Sequence, residues 1–431
     1  MGEPRLPRGF RDFPPEIMIL RKEVMGKIEH LFQRYGFDPM ETTSIELWET
    51  VKGKLGHEAE NKLMFVFPDF FSKEWLALRY DLTMSLARYV ATHHDVPLPF
   101  KRYQIGRVWR HEEPQKGRYR EFWQCDADTV GSSHPEADAE LILLIAEAMD
   151  MFDLRRFTVK LNDRSLLAAI FEKELGIKDP IPVYRAIDKL DKIGWQGVRR
   201  ELEALGMSES MIDRIGELIS PSGSEDVLDS LRRRFSSEQV EEAVGRLEEI
   251  LFIVDDDRVR IDLSLVRGLD YYTGPIFELV IERPKIGSLA GGGRYDKLIG
   301  KYGGRDVPAT GVSIGVERLI DACLELGIFK LSRRSLSDVY VISIGESSRS
   351  YAWKVASTLR KGGLNVSIDL MRRSHSMQRK HAKKLGVRLL AFVGEKEMSS
   401  KSVSLYDTET SEKVECSLSD AVDRIRKLLG R

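Results

Sequence analysis

A chain of 431 residues is too long for one ordinary domain and predicts two or three. Apolar residues at 42% and charged residues at 31% are normal for a soluble globular protein with ample core, and a net charge of −1 excludes a uniformly basic nucleic-acid binder. The charge is uneven, however: residues 338–431 hold 18 Lys+Arg and 11 Asp+Glu, a net of +7, and residues 1–337 hold 49 and 57, a net of −8, so the basic end is expected to meet a polyanion.

The first residues, MGEPRLPRGFRDFPP, are charged and proline-rich, unlike a signal peptide, and a cytoplasmic location is expected. Residues 14–35 place Ile17, Leu20, Val24, Ile28 and Leu31 at helical spacing before Gly36, which predicts an amphipathic helix with a glycine stop. From 36 to 130, aromatic and β-branched residues broken by Gly and Pro predict several strands. Two of these, 102–110 and 119–128, flank a polar loop at 111–117. Residues 136–152 form a further helix. Their run LILLIAEAM is broken by acids and too short to span a bilayer, so no membrane contact is expected. A strand begins at 159.

The texture changes near 175. Up to 253 the chain reads as short amphipathic helices at 183–192, 195–205, 209–219, 227–234 and 240–251, punctuated by Pro180, Pro182, Gly194, Gly206 and Pro221-Ser222-Gly223. An all-helical block between strand-rich blocks predicts an inserted domain. Strands resume at 259 with the alternating V-R-I-D-L-S-L-V. The segment RGLDYYTGPIFE, 267–278, follows as a turn at Gly268 and a second strand after Thr273-Gly274-Pro275. Successive strand residues face opposite ways, so only one of Tyr271 and Tyr272 is expected in the core, and the other beside Arg267 in a pocket. A helix at 315–326 and a linker at 330–337 lead into a regular alternation. Its strands are 339–344, 364–368, 387–393 and 402–406, and its helices 349–361, 374–385 and 418–429, which predicts a small separate domain with a parallel or mixed sheet. The expected domains are therefore 1–174, 175–255, 256–330 and 338–431, the first and third being parts of one. Cys125, Cys323 and Cys416 form no CxxC pair, so neither a zinc site nor a disulfide framework is expected.

Four segments carry chemistry. In 100–128, FKRYQIGRVWRHEEPQKGRYREFWQCDAD, the pattern suits ATP. Arg110 at a strand end would meet the α-phosphate and Arg118 the outer phosphates, because an arginine fork matches phosphate oxygens bidentately. Glu112 would accept from the adenine side or from water, and Phe122 would stack on the base. In 309–319, ATGVSIGVERL, a glycine-rich strand enters a helix with Arg318 in its first turn, where the helix N-terminus favours negative charge. Upstream, AGGGRYD at 290–296 carries Tyr295 into the pocket. The order G-x-G-x-x-G is absent, which excludes a dinucleotide fold. In 79–83, RYDLT, Asp81 and Thr83 two apart on a strand face the same way and could hold an amino group. Finally, 371–388 holds seven Lys/Arg and no acid, a surface suited to an RNA loop.

These segments, in this order, resemble the histidyl-tRNA synthetases. RGLDYYTGPIFE is nearly letter for letter a signature of that family. Residues 100–128 resemble motif 2 of class II aminoacyl-tRNA synthetases in its histidine-specific form, and 309–319 resemble motif 3. Asp81-Leu82-Thr83 is similar to the amino-group site of archaeal and eukaryotic members, since bacterial members carry Glu at the positions of Asp81 and Asp128. Motif 1 is the weak match, with Thr43 where the family has a proline at the dimer interface.

The resemblance implies an α+β fold: an antiparallel sheet flanked by helices, a helical insertion and a C-terminal α/β anticodon-binding domain. It implies histidine–tRNA ligase activity, in which histidine and ATP give histidyl-adenylate and pyrophosphate, and histidine then passes to the 3′ end of tRNA(His). Mg2+ would accompany ATP, and a homodimer is expected. Arg110 and Arg267 are the implied catalytic residues. The implied histidine site is Asp81, Thr83, Arg110, Gln124, Asp128, Arg267, Tyr271, Tyr272 and Tyr295, with Tyr272 and Asp128 reading the imidazole. The implied ATP site is Arg110, Glu112, Arg118, Tyr119, Phe122 and Arg318. The alternative is a histidine-binding regulatory paralogue without aminoacylation activity.

Overall fold

The computed structural model describes residues 3–54, 59–219, 225–266, 271–331 and 334–430. They form two compact units: Val24–Phe329 together with the residues up to Arg11, and Lys330–Arg431 together with Asp12–Glu23.

The first unit holds two sheets. The smaller has β2 (Ile45–Leu47), β3 (Val66–Pro68) and β4 (Trp75–Leu78), ordered β2-β4-β3. The larger has eight strands: β1 (Asp38–Pro39), β5 (Phe100–Trp109), β6 (Glu121–Val130), β7 (Thr158–Asp163), β8 (Val259–Ile261), β9 (Pro275–Val280), β10 (Ala290–Arg294) and β11 (Ala309–Gly315). Their order is β1-β5-β6-β11-β10-β9-β7-β8, antiparallel except for the outer pairs β1–β5 and β7–β8. This is the α+β, antiparallel-rich architecture expected.

β5 and β6 are ten residues each and pair along their whole length, from Phe100 opposite Val130 to Trp109 opposite Glu121. The arginine-rich loop is therefore the connection of a long hairpin. β6 lies inside the sheet and is buried from Gln124 onward, which its mixed apolar and small side chains allow. Helices Pro135–Met151 and Glu238–Val254 pack together, and the first also lies against β11. The run AGGGR of β10 has a steric reason. A Cβ on Gly292 would stand 2.2 Å from the Gly311 carbonyl oxygen, so only glycine lets β10 and β11 approach this closely.

A buried ion pair ties this helical layer to the sheet. Arg294, at the end of β10, donates to Asp138 Oδ2 from Nε at 3.0 Å and from Nη2 at 2.5 Å. The same guanidinium also bonds the carbonyls of Ser132 and His134. Burial pushes the Asp138 carboxyl up to about 6, against the pull of Arg294.

Between β7 and β8, after the short helical turns Arg164–Ala168 and Ala169–Glu174, come the helices Ile181–Ile187, Leu190–Ala204, Glu209–Ile219, Glu225–Arg234 and Glu238–Val254. Gly194, at φ +67°, kinks the second of these, where the sequence predicts a break. No helix among the described residues is long and apolar enough to cross a membrane.

The second unit is built on a mixed sheet of β12 (Val339–Ser343), β13 (Val366–Ile368), β14 (Leu389–Val393), β15 (Ser402–Asp407) and β16 (Lys413–Ser417), ordered β13-β12-β14-β15-β16. β12 runs parallel to β13 and β14, and the other pairs are antiparallel. Its core joins Val341, Val355, Leu389 and Ile425. Two elements escape the sequence reading, helix Glu395–Ser400 and edge strand β16. β16 buries none of its residues fully, so it carries no apolar run; its pairing with β15 holds it.

Candidate active site

The frame of the site is the inner face of β6. Side chains alternate along a strand, so Phe122, Gln124, Asp126 and Asp128 share one face. Opposite them on β11 stand Gly315 against Gln124, Ser313 against Asp126 and Gly311 against Asp128. The helix Val316–Glu325 continues from β11 and presents Arg318 in its first turn. These elements wall a cavity of about 280 Å³, also lined by Asp81, Thr83, Arg110, Glu112, Arg118, Tyr119, Tyr271, Tyr272, Glu278 and Tyr295.

One end of the cavity is cationic. The Arg110 guanidinium lies 4.4 Å from the Tyr80 ring and 5.2 Å from the Phe122 ring, and its Nε donates to the Tyr80 carbonyl at 3.2 Å. Burial works against the Arg110 charge, but Tyr80, Asp81 and Glu112 outweigh it and hold the guanidinium above its ordinary value. Arg118 donates to Glu112 at 3.3 Å. Arg318 donates to the carbonyls of Gly117 and Ser288, at 2.8 and 2.9 Å, which aims it at the hairpin loop. Burial, then the charges of Arg118 and Arg110, push the Arg318 pKa down. Three guanidiniums thus gather where they repel one another, an arrangement that an oligophosphate relieves. Tyr119 also lines this end, but its hydroxyl donates to Asp321 at 2.8 Å and its ring lies 3.5 Å from the Arg11 guanidinium. Burial and Asp321 push that hydroxyl up to about 12.

The cavity also carries acidic groups. Asp81 and Thr83 line it, though not as neighbours on a strand. β4 ends at Leu78, and Thr83 opens the helix Thr83–Thr92. Asp81 Oδ1 accepts from the Met84 amide at 2.8 Å, so the carboxylate caps that helix while Oδ2 accepts from the Tyr271 hydroxyl at 3.3 Å. Burial raises the Asp81 pKa, against the Met84 bond and the Arg110 charge. Gln124 Nε2 donates to Ser313 Oγ at 2.6 Å, while its Oε1 has no hydrogen-bond partner among the described residues.

Tyr271 is the core tyrosine, 4% exposed, and Tyr272 is only partly buried against the same cluster. Residues 271–274 lie outside any strand, so strict alternation does not apply, and both rings face the cavity, 5.0 Å apart at 66°. Arg267, Gly268 and Asp270 lie outside the described residues.

Asp128, implied above as a reader of the imidazole, is held from two sides. Its Oδ1 accepts from the Tyr295 hydroxyl at 2.5 Å, and its Oδ2 stands 2.8 Å from Arg102 Nη2. The carboxylate stands behind Tyr295 and is not among the residues that line the cavity. A Cβ on Gly311 would stand 2.0 Å from Asp128 Oδ1 and 3.3 Å from the Tyr295 ring, so glycine is what admits this pair. The carboxylate of β6 that does line the cavity is Asp126, which the motif reading passes over. Its signal was present in the alternation Phe122, Gln124, Asp126. Arg102 and Tyr80, by contrast, become visible only through strand register and packing.

A long antiparallel sheet, an arginine-bearing hairpin and a glycine-rich strand-to-helix turn around one cavity define the core of a class II aminoacyl-tRNA synthetase. The sequence profile of the family described as "Histidyl-tRNA synthetase" matches residues 9–319, and that described as "Anticodon binding domain" matches residues 338–428. The chain is 62% identical over 425 residues to the histidine–tRNA ligase of Korarchaeum cryptofilum, covering 99% of each chain. It is 56% identical over 430 residues to that of Aeropyrum pernix, again covering 99% of each. The crystal structure of histidyl-tRNA synthetase from Nostoc sp. PCC 7120 superposes with a TM-score of 0.85 at 31% identity, over 98% of this chain and 99% of that one. The chain belongs to the histidyl-tRNA synthetase family.

Proposed function

We infer that the chain is a histidine–tRNA ligase, activating histidine with ATP and then passing it to tRNA(His). The observation that carries the active-site assignment is the lining of one cavity, which combines Arg110, Arg118 and Arg318 with Asp81, Gln124 and Asp126. Phosphates belong with the first set, and an amino acid rich in N–H donors with the second.

In the first step the histidine carboxylate attacks the α-phosphorus and pyrophosphate leaves. Negative charge builds on the α-phosphoryl oxygens, and a guanidinium fixed between two aromatic rings stabilises it without reorganising. Arg110 takes this role, joined by Arg267. Arg118 and Arg318 hold the outer phosphates, Glu112 orients Arg118, and Phe122 offers its face to the adenine. Tyr119 acts by bracing the wall through Asp321. Asp81, Thr83 and Gln124 hold the α-amino group, with Tyr271 orienting Asp81. Tyr272 and Tyr295 enclose the side chain. Mg2+ enters with ATP, and the carboxylates of Glu112, Glu278 and Glu317 along the cavity offer the hard oxygens it prefers.

In the second step the terminal ribose hydroxyl of tRNA attacks the acyl carbon and AMP leaves. The tRNA is held partly by the basic run at 371–388. There Arg373 pairs with Asp369 and Arg388 with Asp407, while Arg372, Lys380, Lys383 and Lys384 stand exposed. The helical block at 175–255 is assigned to the acceptor arm, and the chain to a homodimer in the cytoplasm. A regulatory paralogue would dispense with the anticodon-binding domain, which residues 338–428 match. Histidine-dependent exchange of pyrophosphate into ATP tests the assignment. Folded protein with no exchange would remove it.

A further inference from the structure

Residues 271–274 lie off the strand ladder, so the backbone beside Tyr271 and Tyr272 has to be held by other bonds. Asn162 and Arg164, at the end of β7, supply several of them. Asn162 Nδ2 donates to the Leu265 carbonyl at 3.0 Å. Arg164 Nη1 donates to the Val266 carbonyl at 2.8 Å, and the Arg164 amide donates to the Gly274 carbonyl at 2.8 Å. One residue thus fastens the chain on both sides of the two tyrosines. Leu265, Tyr271 and Tyr272 line the cavity, and Arg164 is not among the lining residues.

The same guanidinium also reaches the inserted helices. It lies 5.2 Å from the ring of Tyr184, on helix Ile181–Ile187. Tyr184 is 8% exposed and meets Phe171 edge-on at 5.2 Å, so close packing fixes its ring. Asp163, between Asn162 and Arg164, is tied to the block as well. Its Oδ2 accepts from Nε of Arg246, on helix Glu238–Val254, at 2.9 Å. The end of β7 is therefore gripped by inserted helices and in turn grips the tyrosine segment. A guanidinium steadied by a ring presents its N–H groups in a set direction, and such outer contacts keep binding groups in place.

We propose that Arg164 is a positioning residue for histidine binding, tying the backbone around Tyr271 and Tyr272 to Tyr184, so that the inserted helices brace this wall of the cavity before any tRNA arrives. This rests on the ligase reading and deepens it, since it gives the inserted block a part in the first step.

The test measures the KM for histidine and for ATP in pyrophosphate exchange, beside histidine binding by titration calorimetry, on the full chain. Arg164→Ala should raise the histidine KM by about tenfold, the scale of one hydrogen bond from a charged donor, and leave the KM for ATP within about twofold. Arg164→Lys keeps a donor for the Val266 carbonyl and should recover most of the loss. Tyr184→Leu leaves Arg164 in place but removes the ring that steadies it, and should show the same split at about threefold. Tyr184→Phe keeps the ring and should match wild type. A role in folding alone would lower the active fraction and leave both KM values of the folded enzyme unchanged. That result, or an equal rise in both KM values, overturns the proposal, and so does a wild-type histidine KM in Tyr184→Leu. If Arg164→Ala does not fold, Tyr184→Leu decides. Wild type that binds histidine but exchanges no pyrophosphate removes the ligase reading alone, because calorimetry still tests the brace. Wild type that binds no histidine removes both.

Discussion

Asp128 Oδ2 stands 2.8 Å from Arg102 Nη2, and neither side chain is more than 1% exposed. The two residues face each other across paired strands, Arg102 on β5 and Asp128 on β6. With Tyr295 on the second carboxylate oxygen, they form the floor beneath the cavity. Removing one member of a buried pair leaves a charge in a low dielectric. Arg102→Met should cost about 3–5 kcal/mol in denaturant unfolding. The double variant Arg102→Met/Asp128→Leu should recover much of that loss, since no charge is then stranded.

Gly311→Ala tests the same floor from β11. The new methyl would lie 2.0 Å from Asp128 Oδ1. Neither the strand nor the carboxylate can yield freely, so a loss of about 3 kcal/mol or more is expected, read as a lowered melting temperature. Ala at Gly303, where a Cβ meets nothing within 4 Å, serves as the control for clash. Its φ of +89° makes the cost there purely conformational, about 1 kcal/mol.

Arg110→Ala should lower the rate of histidine activation by about 10²–10³, the usual loss when one fixed donor to a developing anion is removed. Arg110→Lys should not restore it. An ammonium neither spans two phosphate oxygens nor stacks between the Tyr80 and Phe122 rings as a planar guanidinium does. Pre-steady-state formation of the adenylate checks this.

Stability should depend on pH through Asp126. Burial raises its carboxyl from 3.8 to about 8. Between those values the folded chain keeps a proton that the unfolded chain has released. Stability is therefore full at the acidic side of that window and declines as pH rises through it. Asp126→Asn removes the effect. The variant should be more stable than wild type at pH 8, by on the order of a few kcal/mol, and the gap should close toward pH 4. Melting curves at several pH values read it.

Charge reversal at Lys380, Lys383 and Lys384 should raise the KM for tRNA by about tenfold or more. It should also flatten the salt dependence of tRNA binding by about 0.7 to 0.9 in log–log slope for each phosphate that is no longer neutralised. The helix His375–Lys384 buries only Gln378 and Ala382, so the fold should tolerate the change.

Much of this protein is determined by local chemistry. Alternation along 119–128 is enough to put Gln124, Asp126 and Asp128 on one face, and the glycines of 309–315 leading to Arg318 foretell a strand entering a helix. The spacing of apolar residues predicts the helices between 181 and 254. Those patterns need only neighbours in the chain. The register between strands decided the rest. Arg102 reaches Asp128 only because Phe100 pairs with Val130, and Gly311 leaves room for Tyr295 only because β11 lies opposite β6 at that register. Alternation tells which face a carboxylate occupies. Whether it meets a partner or an open cavity depends on residues tens to hundreds of positions away. For that reason Asp126 and Asp128 look equivalent in the sequence, and only the folded sheet puts Asp126 on the cavity wall and Asp128 behind Tyr295.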